Sequence, residues 1–387
     1  MFSSCPTTSK SSPVLRLNHL HCHRRSRGGV FHIINTTNIV FSIATTILCF
    51  FPIIGTTNAY TVAPTTRLRS SLRMSSSPLD GNSSTKKAMK VIDSHLHVWA
   101  SQSESAAKYP YASPDQIPPD SLINKASTDE LLKTMAKCGV DGALIVQPIN
   151  HKFDHSYVAD AIQSHPSKFK GMLLHDPSLK ADMAVQRLEE LTLKGFVGVR
   201  FNPYLWPDQK CMSSKDADDG AAGLAVYKRC AELNMPVGIM CFKGLELHYE
   251  DIIKLIEHSP NTVCILDHFG FTGLDERGDD AFKKLLSLAK YPNVIVKLSA
   301  LFRIPRNDND SYPYDKVRGQ RFVPLMESFG SDRLMFGTDF PFVLNEKGSY
   351  QGAVDVVSSW AENDVDRENI MHKTAERLFG VWGGSDK

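Results

Sequence analysis

From residue 91 onward the chain alternates short apolar runs, rich in Val, Ile, Leu and Phe, with longer stretches in which apolar residues recur every three or four positions. Runs of the first kind predict strands buried on both faces, and stretches of the second predict amphipathic helices. The pattern places strands at 91–97, 142–148, 169–176, 196–202, 236–242, 263–269, 294–301 and 334–339. Helices are expected at about 129–138, 155–164, 180–194, 221–234, 249–258, 280–290, 318–329, 351–362 and 366–379. Thr128 reads as the N-cap of the first helix and Gly139 as its stop. Strands that alternate with helices imply a parallel sheet, and eight such units with no linker between them predict an α/β fold, a single (β/α)8 TIM barrel over residues 88–382.

Catalytic groups of such a barrel gather at the C-terminal ends of the strands. Three connections leaving those ends, 99–127, 204–220 and 302–317, exceed the usual two to six residues. They are either solvent-facing excursions or a lid carrying Trp99, Tyr109, Tyr111, Tyr204, Trp206, Arg303, Arg306, Tyr312 and Tyr314.

The first seventy-odd residues have a different character. Residues 1–73 hold eight Lys or Arg and no Asp or Glu. Arg24, Arg25 and Arg27 precede an apolar run from Ile39 to Ile54, small residues succeed it at Thr56 to Ala59, and Thr61 to Ser77 is rich in Ser, Thr and Arg. This order reads as a bipartite targeting segment over 1–75, a signal peptide and then a transit peptide. Its joint, Asn58-Ala59-Tyr60-Thr61-Val62-Ala63-Pro64, is similar to the cleavage motif of algae with secondary plastids, with Tyr60 in place of the usual Phe. Plastid import is the expectation, and secretion or an endomembrane location is the alternative. The apolar run of sixteen residues, interrupted by Thr45, Thr46 and Pro52, falls short of the roughly twenty needed to span a bilayer.

Setting residues 1–73 aside changes the charge balance. Residues 74–387 carry 36 basic and 42 acidic side chains, a formal charge of −6 against +2 for the whole chain. No basic stripe, finger motif or aromatic-studded basic sheet points to nucleic acid. Cys138, Cys211, Cys230, Cys241 and Cys264 lack metal-knuckle spacing and read as buried reduced thiols. A small-molecule substrate is the expected partner, the mature form is expected to have no stable membrane span, and a homo-oligomer stays open.

Four motifs end apolar runs in chemically active groups: His95 and His97 after Val91, Arg200 and Asn202 after Gly198, His268 after Leu266, and Asp339 after Phe336. Side chains at i and i+2 of a strand share a face about 6.5–7 Å apart. Two imidazoles so placed can share a metal ion or a substrate oxygen. The spacing alone proves little, since His21-Cys22-His23 repeats it inside the targeting segment.

Together, Asp93-Ser94-His95-Leu96-His97-Val98-Trp99, Gly198-Val199-Arg200-Phe201-Asn202-Pro203, Asp267-His268-Phe269-Gly270, Val296-Lys297-Leu298-Ser299 and Phe336-Gly337-Thr338-Asp339-Phe340-Pro341 resemble the amidohydrolase-related family from about residue 90 to 380. The likeness is greatest to its lactonase branch, which hydrolyses sugar lactones and pyrone or muconolactone carboxylates; non-oxidative decarboxylases form another branch. The resemblance implies His95, His97, His268 and Asp339 around a reacting carbonyl, with Arg200 on a substrate carboxylate. Two departures matter. The fifth strand reads Met240-Cys241-Phe242 where metal-holding relatives place a histidine, and the fourth has no lysine to bridge two metals. One divalent ion, zinc, on His95, His97 and Asp339, with His268 or Cys241 beside them, therefore stands next to a metal-free site.

The expected activity is hydrolysis of a lactone that is carboxylated or polyhydroxylated. Asp339 would act as general base, His95, His97 and His268 would polarise the carbonyl, and Arg200, Asn202, Gln147, Ser299 and Arg303 are candidates for substrate binding. An unperturbed Asp facing bulk water is mismatched by roughly 12 pKa units, on the order of 16 kcal/mol, whereas zinc-bound water cuts this to about 4. A lactone is electrophilic enough for partial proton transfer to suffice. His175 and Asp176 read as structural, and Lys297 as a supporting residue. A metal-dependent decarboxylase and a catalytically silent binding barrel are the rival readings.

Overall fold

The structure, a computed structural model, describes residues 89–206, 212–214, 218–305 and 310–383. The expected targeting segment 1–75, Cys211 and Arg306 lie outside the described residues. Eight parallel strands run in chain order: β1 (Ile92–Leu96), β2 (Gly142–Val146), β3 (Phe169–Leu174), β4 (Phe196–Phe201), β5 (Val237–Ile239), β6 (Cys264–Leu266), β7 (Val294–Leu298) and β8 (Leu334–Phe336). Each pairs with the next, and a parallel bridge from Leu96 to Phe340, with His97 N–H donating to Phe340 O at 2.8 Å, brings β1 against the segment after β8. The result is the expected TIM barrel with helices between the strands.

The strands end earlier than the apolar runs suggest. His97, Gln147, Asn202, His268, Ser299 and Asp339, expected inside strands, lie one to three residues beyond them. There the backbone leaves the ladder: His268, Ala300 and Asp339 adopt positive φ of 53°, 51° and 64°. A non-glycine residue in the left-handed region costs on the order of 1–3 kcal/mol. The turns at His268 and Asp339 carry those side chains into the barrel mouth.

Alternation along the strands divides the barrel interior into two layers. On one parity Ile265, Ile295 and Met335 pack with Ile92, Leu144, Val146 and Met172 in an apolar plug closed below by Ala375, Phe379 and Trp382. Two residues further along the same faces stand Asp267, Lys297 and Gly337. β1 breaks this rule. Ile92 belongs to the plug, so His95, three residues on, would face the helices in a regular strand; a register shift between Asp93 and Leu96 reverses the parity. Asp93 points the other way and accepts from Thr338 Oγ1 at 2.5 Å, Thr338 N at 3.0 Å and Tyr350 O–H at 2.7 Å. It ties β1 to the segment after β8 and to the helix Ser349–Trp360.

The helices match the predicted periodicity with local corrections. The first begins at Thr128, and its N-cap is Ser127, whose Oγ accepts Glu130 N–H; Gly139 ends it at φ 66°. The helix expected from 280 starts at Glu276, because Asp275 caps Gly278 N–H. The connection 99–127 contains a short helix, Gln102–Ala107, held by a capping box of Ser101 and Glu104. Among the described residues no helix is long and apolar enough to cross a membrane. Cys230, Cys241 and Cys264 are buried free thiols as expected, whereas Cys138 is half-buried.

Candidate active site

A cavity of about 190 Å³ opens at the C-terminal mouth of the barrel. His97, His268, Asp339, Arg200, Asn202, Gln147 and Arg303 line it, among apolar walls that include Trp99, Pro148, Leu174, Met240, Phe271 and Phe342. Seven sequence-predicted residues thus meet at one rim although the chain separates them by up to 242 positions.

At its floor three imidazoles converge on one carboxylate oxygen. Asp339 Oδ1 lies 3.5 Å from His97 Nε2 and 3.9 Å from both His95 Nε2 and His268 Nε2. The far side of each ring has its own partner. His97 Nδ1–H donates to Val146 O at 2.8 Å, which leaves Nε2 as a lone pair. His95 Nδ1 lies 3.2 Å from Asp267 Oδ1, and His268 Nδ1 lies 2.8 Å from Ser299 Oγ. Asp339 Oδ2 accepts from Arg303 Nε at 2.9 Å. Gly337 makes the convergence possible: a Cβ there would meet His95 Cβ at 2.7 Å and force the ring away.

The electrostatics set burial against charge. Burial alone would raise the pKa of Asp339, but neighbouring His268, His97 and Arg303 hold it well below the ordinary carboxylate range. His268 is lowered to about 4, chiefly by burial, so its imidazole is neutral near pH 7. His95 is also pushed down by burial, against the pull of Asp267. Beneath it lies a closed ion network in which Asp267 Oδ1 is 3.4 Å from Lys297 Nζ and Oδ2 is 3.3 Å from Arg200. Lys297 Nζ is also 3.2 Å from His95 Nδ1. A single nitrogen cannot donate to one and accept from the other, and the carboxylate is the stronger claimant on the Nδ1 hydrogen. Burial would raise Asp267 as well, yet Lys297, His95 and Arg200 keep it ionised.

His95, His97 and Asp339 offer three ligand atoms within 4.8 Å of one another. His95 Nε2 is buried without a hydrogen-bond partner among the described residues, and its orphaned lone pair faces the other two donors. Two imidazoles and a carboxylate, each oriented from behind, are a donor set that suits one divalent ion. Cys241, weighed as a further ligand, is excluded from this group: it is fully buried in the apolar core, and Met240 faces the cavity instead.

Other expectations need correction. Ser299, a candidate for substrate contact, is fully buried beneath His268 and does not line the cavity. Arg200 pairs with an interior carboxylate, Asp267, and also lines the cavity. The lid does not materialise from the described aromatic residues. Trp206 packs on His175 and Phe201, Tyr111 O–H binds Ala100 O, and Tyr204 Oη accepts from Lys243 N–H; of the described members of the set only Trp99 and Arg303 reach the cavity. His175 is buried against Phe201 and Trp206, away from the catalytic cavity, as a structural histidine would be. The sequence reading missed the hub role of Asp267. Its signal was an acid two places after Ile265 on a strand buried on both faces, a position that demands a partner.

Comparison with known proteins agrees with this geometry. The amidohydrolase family model matches residues 92–381. A 4-sulfomuconolactone hydrolase of Hydrogenophaga intermedia is 28% identical over 308 residues, covering 74% of this chain and 88% of that protein. An L-fucono-1,5-lactonase of Burkholderia multivorans is 33% identical over 137 residues, covering 31% of this chain and 40% of that protein. The crystal structure of an amidohydrolase from Burkholderia multivorans with bound zinc shares the fold at a TM-score of 0.58 and 21% identity, covering 76% of this chain and 99% of that one.

Proposed function

This chain belongs to the amidohydrolase family, and from that premise we propose that it hydrolyses a small lactone at the His95, His97, His268 and Asp339 cluster. The observation that carries the reading is the convergence of three imidazole Nε2 atoms on Asp339 Oδ1 at the floor of a mostly apolar cavity. Similarity to a sulfomuconolactone hydrolase and to a fuconolactonase supports a cyclic ester as the substrate.

Asp339 takes a proton from water as the water oxygen attacks the lactone carbonyl. Arg303 holds its Oδ2 and fixes the direction of Oδ1. In this mechanism Ser299 Oγ–H donates to His268 Nδ1, 2.8 Å away, so that neutral His268 keeps its hydrogen on Nε2 for the oxygen that becomes negative. Collapse of the tetrahedral species breaks the ring C–O bond, and the proton returns from Asp339 to the leaving alkoxide. The product is an open hydroxy acid. Arg200, at the cavity wall, binds a carboxylate or hydroxyl of the substrate. His95, His97 and Asp339 are the residues that would hold a zinc ion, whose Lewis acidity would polarise the carbonyl and acidify water.

The test is an assay of the full chain on muconolactone-type and sugar lactones, with CO2 release monitored in parallel and zinc measured by elemental analysis. Ring opening that is lost in Asp339→Asn is the expected result. Turnover unchanged in that variant would remove Asp339 from the mechanism, and CO2 release without ring opening would replace hydrolysis by decarboxylation.

A further inference from the structure

Gln147, immediately after β2, stands in the cavity wall and is 1% exposed. Its Nε2 donates to two backbone carbonyls, Lys152 O at 3.0 Å and Asp154 O at 2.8 Å. Both amide hydrogens are therefore committed. Reversing the amide would set an oxygen against two carbonyl oxygens, so the hydrogen bonds themselves fix the orientation of the amide. The other end, Oε1, is buried and accepts no hydrogen bond among the described residues.

Holding the 152–154 turn needs only the donor end of this side chain. The acceptor end is left desolvated, and a buried acceptor without a donor is unfavourable until one arrives. Trp99 Nε1 and Arg200 Nε, on other residues of the same wall, are also buried without a partner, but both are donors and answer substrate oxygens. Gln147 Oε1 asks for the opposite. A lactone ring, a carboxylate and a sulfonate carry acceptors only at neutral pH and leave it unanswered. An alcohol satisfies it.

Resting on the lactonase reading above, we infer that Gln147 Oε1 receives the hydrogen of a substrate hydroxyl, and that the substrates of this site are hydroxylated lactones rather than lactones substituted only by acids. Sites built around a buried polar group discriminate strongly against analogues that leave it unpaired.

The experiment pairs each five- and six-membered hydroxylated lactone with its deoxy and O-methyl counterparts and measures kcat/KM for the full chain and for Gln147→Met. The O-methyl ether keeps the oxygen but has no hydrogen to give. We expect at least tenfold preference for the free hydroxyl over both counterparts, carried by one hydroxyl position, and collapse of that preference in Gln147→Met. A merely displaced 152–154 turn lowers all members of a set alike and leaves their ratio intact. Turnover without preference, or a preference undiminished in Gln147→Met, overturns the inference while leaving the lactonase reading in place. Turnover of no lactone in any set overturns both.

Discussion

The lower and upper layers of this barrel are built on the same strand faces two residues apart, yet they obey opposite rules. Below, Ile265, Ile295 and Met335 meet Met172 and Trp382 in contacts that depend on shape alone. Above, Asp267, Lys297, Arg200, Asp339 and three histidines sit where water is almost as scarce, and each is tolerated only because a partner is already in place. An apolar contact degrades gradually when a neighbour changes, whereas a buried charge fails abruptly when its partner leaves. The lower layer therefore carries stability and the upper one carries chemistry, at a standing cost in desolvation and left-handed backbone.

Substitutions can separate the two. Asp339→Asn removes the base and keeps the shape, so activity on the best lactone should fall at least about a thousandfold, within the range for loss of general base catalysis, while the thermal midpoint moves little. Lys297→Met strips Asp267 of a cation and should cost about 3–5 kcal/mol in urea unfolding together with activity. Met335→Ala in the plug should cost a similar amount, about 2–5 kcal/mol, through a cavity, but leave kcat/KM per folded molecule unchanged. Equal loss of activity in Met335→Ala would show that the layers are not independent.

Acid should act through buried imidazoles, and His175 isolates the effect from the catalytic cluster. Burial lowers His175 to about 3 in the folded chain, below the roughly 6.5 of an exposed histidine, so the unfolded state binds the proton first. Its contribution is intact above about pH 6.5 and is lost as the pH falls toward 3. His175→Phe fills the same space between Phe201 and Trp206 without titrating, so its stability loss from pH 7 to 5 should be about 2 kcal/mol smaller than that of the natural chain. Identical pH profiles would contradict a neutral buried His175. The smallest effect belongs to Ser299→Ala. Without the hydrogen bond to His268 Nδ1, kcat/KM should drop about tenfold with KM nearly constant, read by steady-state kinetics. A change confined to KM would instead place Ser299 in substrate binding.

Much of this organisation was legible along the chain, because period-2 and period-3.6 patterns are local consequences of how strands and helices expose alternate positions. Eight apolar runs and the helices between them are enough to imply the barrel. His95, His97, Arg200, His268 and Asp339 stood out as polar groups ending those runs, where burial demands a task or a partner. Three-dimensional packing settled what no local pattern encodes. The register shift in β1 decides that His95 rather than Ser94 faces inward, and it depends on pairing with β2. Asp267 becomes a hub only because β1, β4 and β7 bring His95, Arg200 and Lys297 to it. Ser299 and Gln147 looked alike as polar residues at strand ends, yet one lies under a histidine and the other in the wall. Periodicity reports which face a residue occupies, but the partner across that face is chosen by the curvature and closure of the whole sheet.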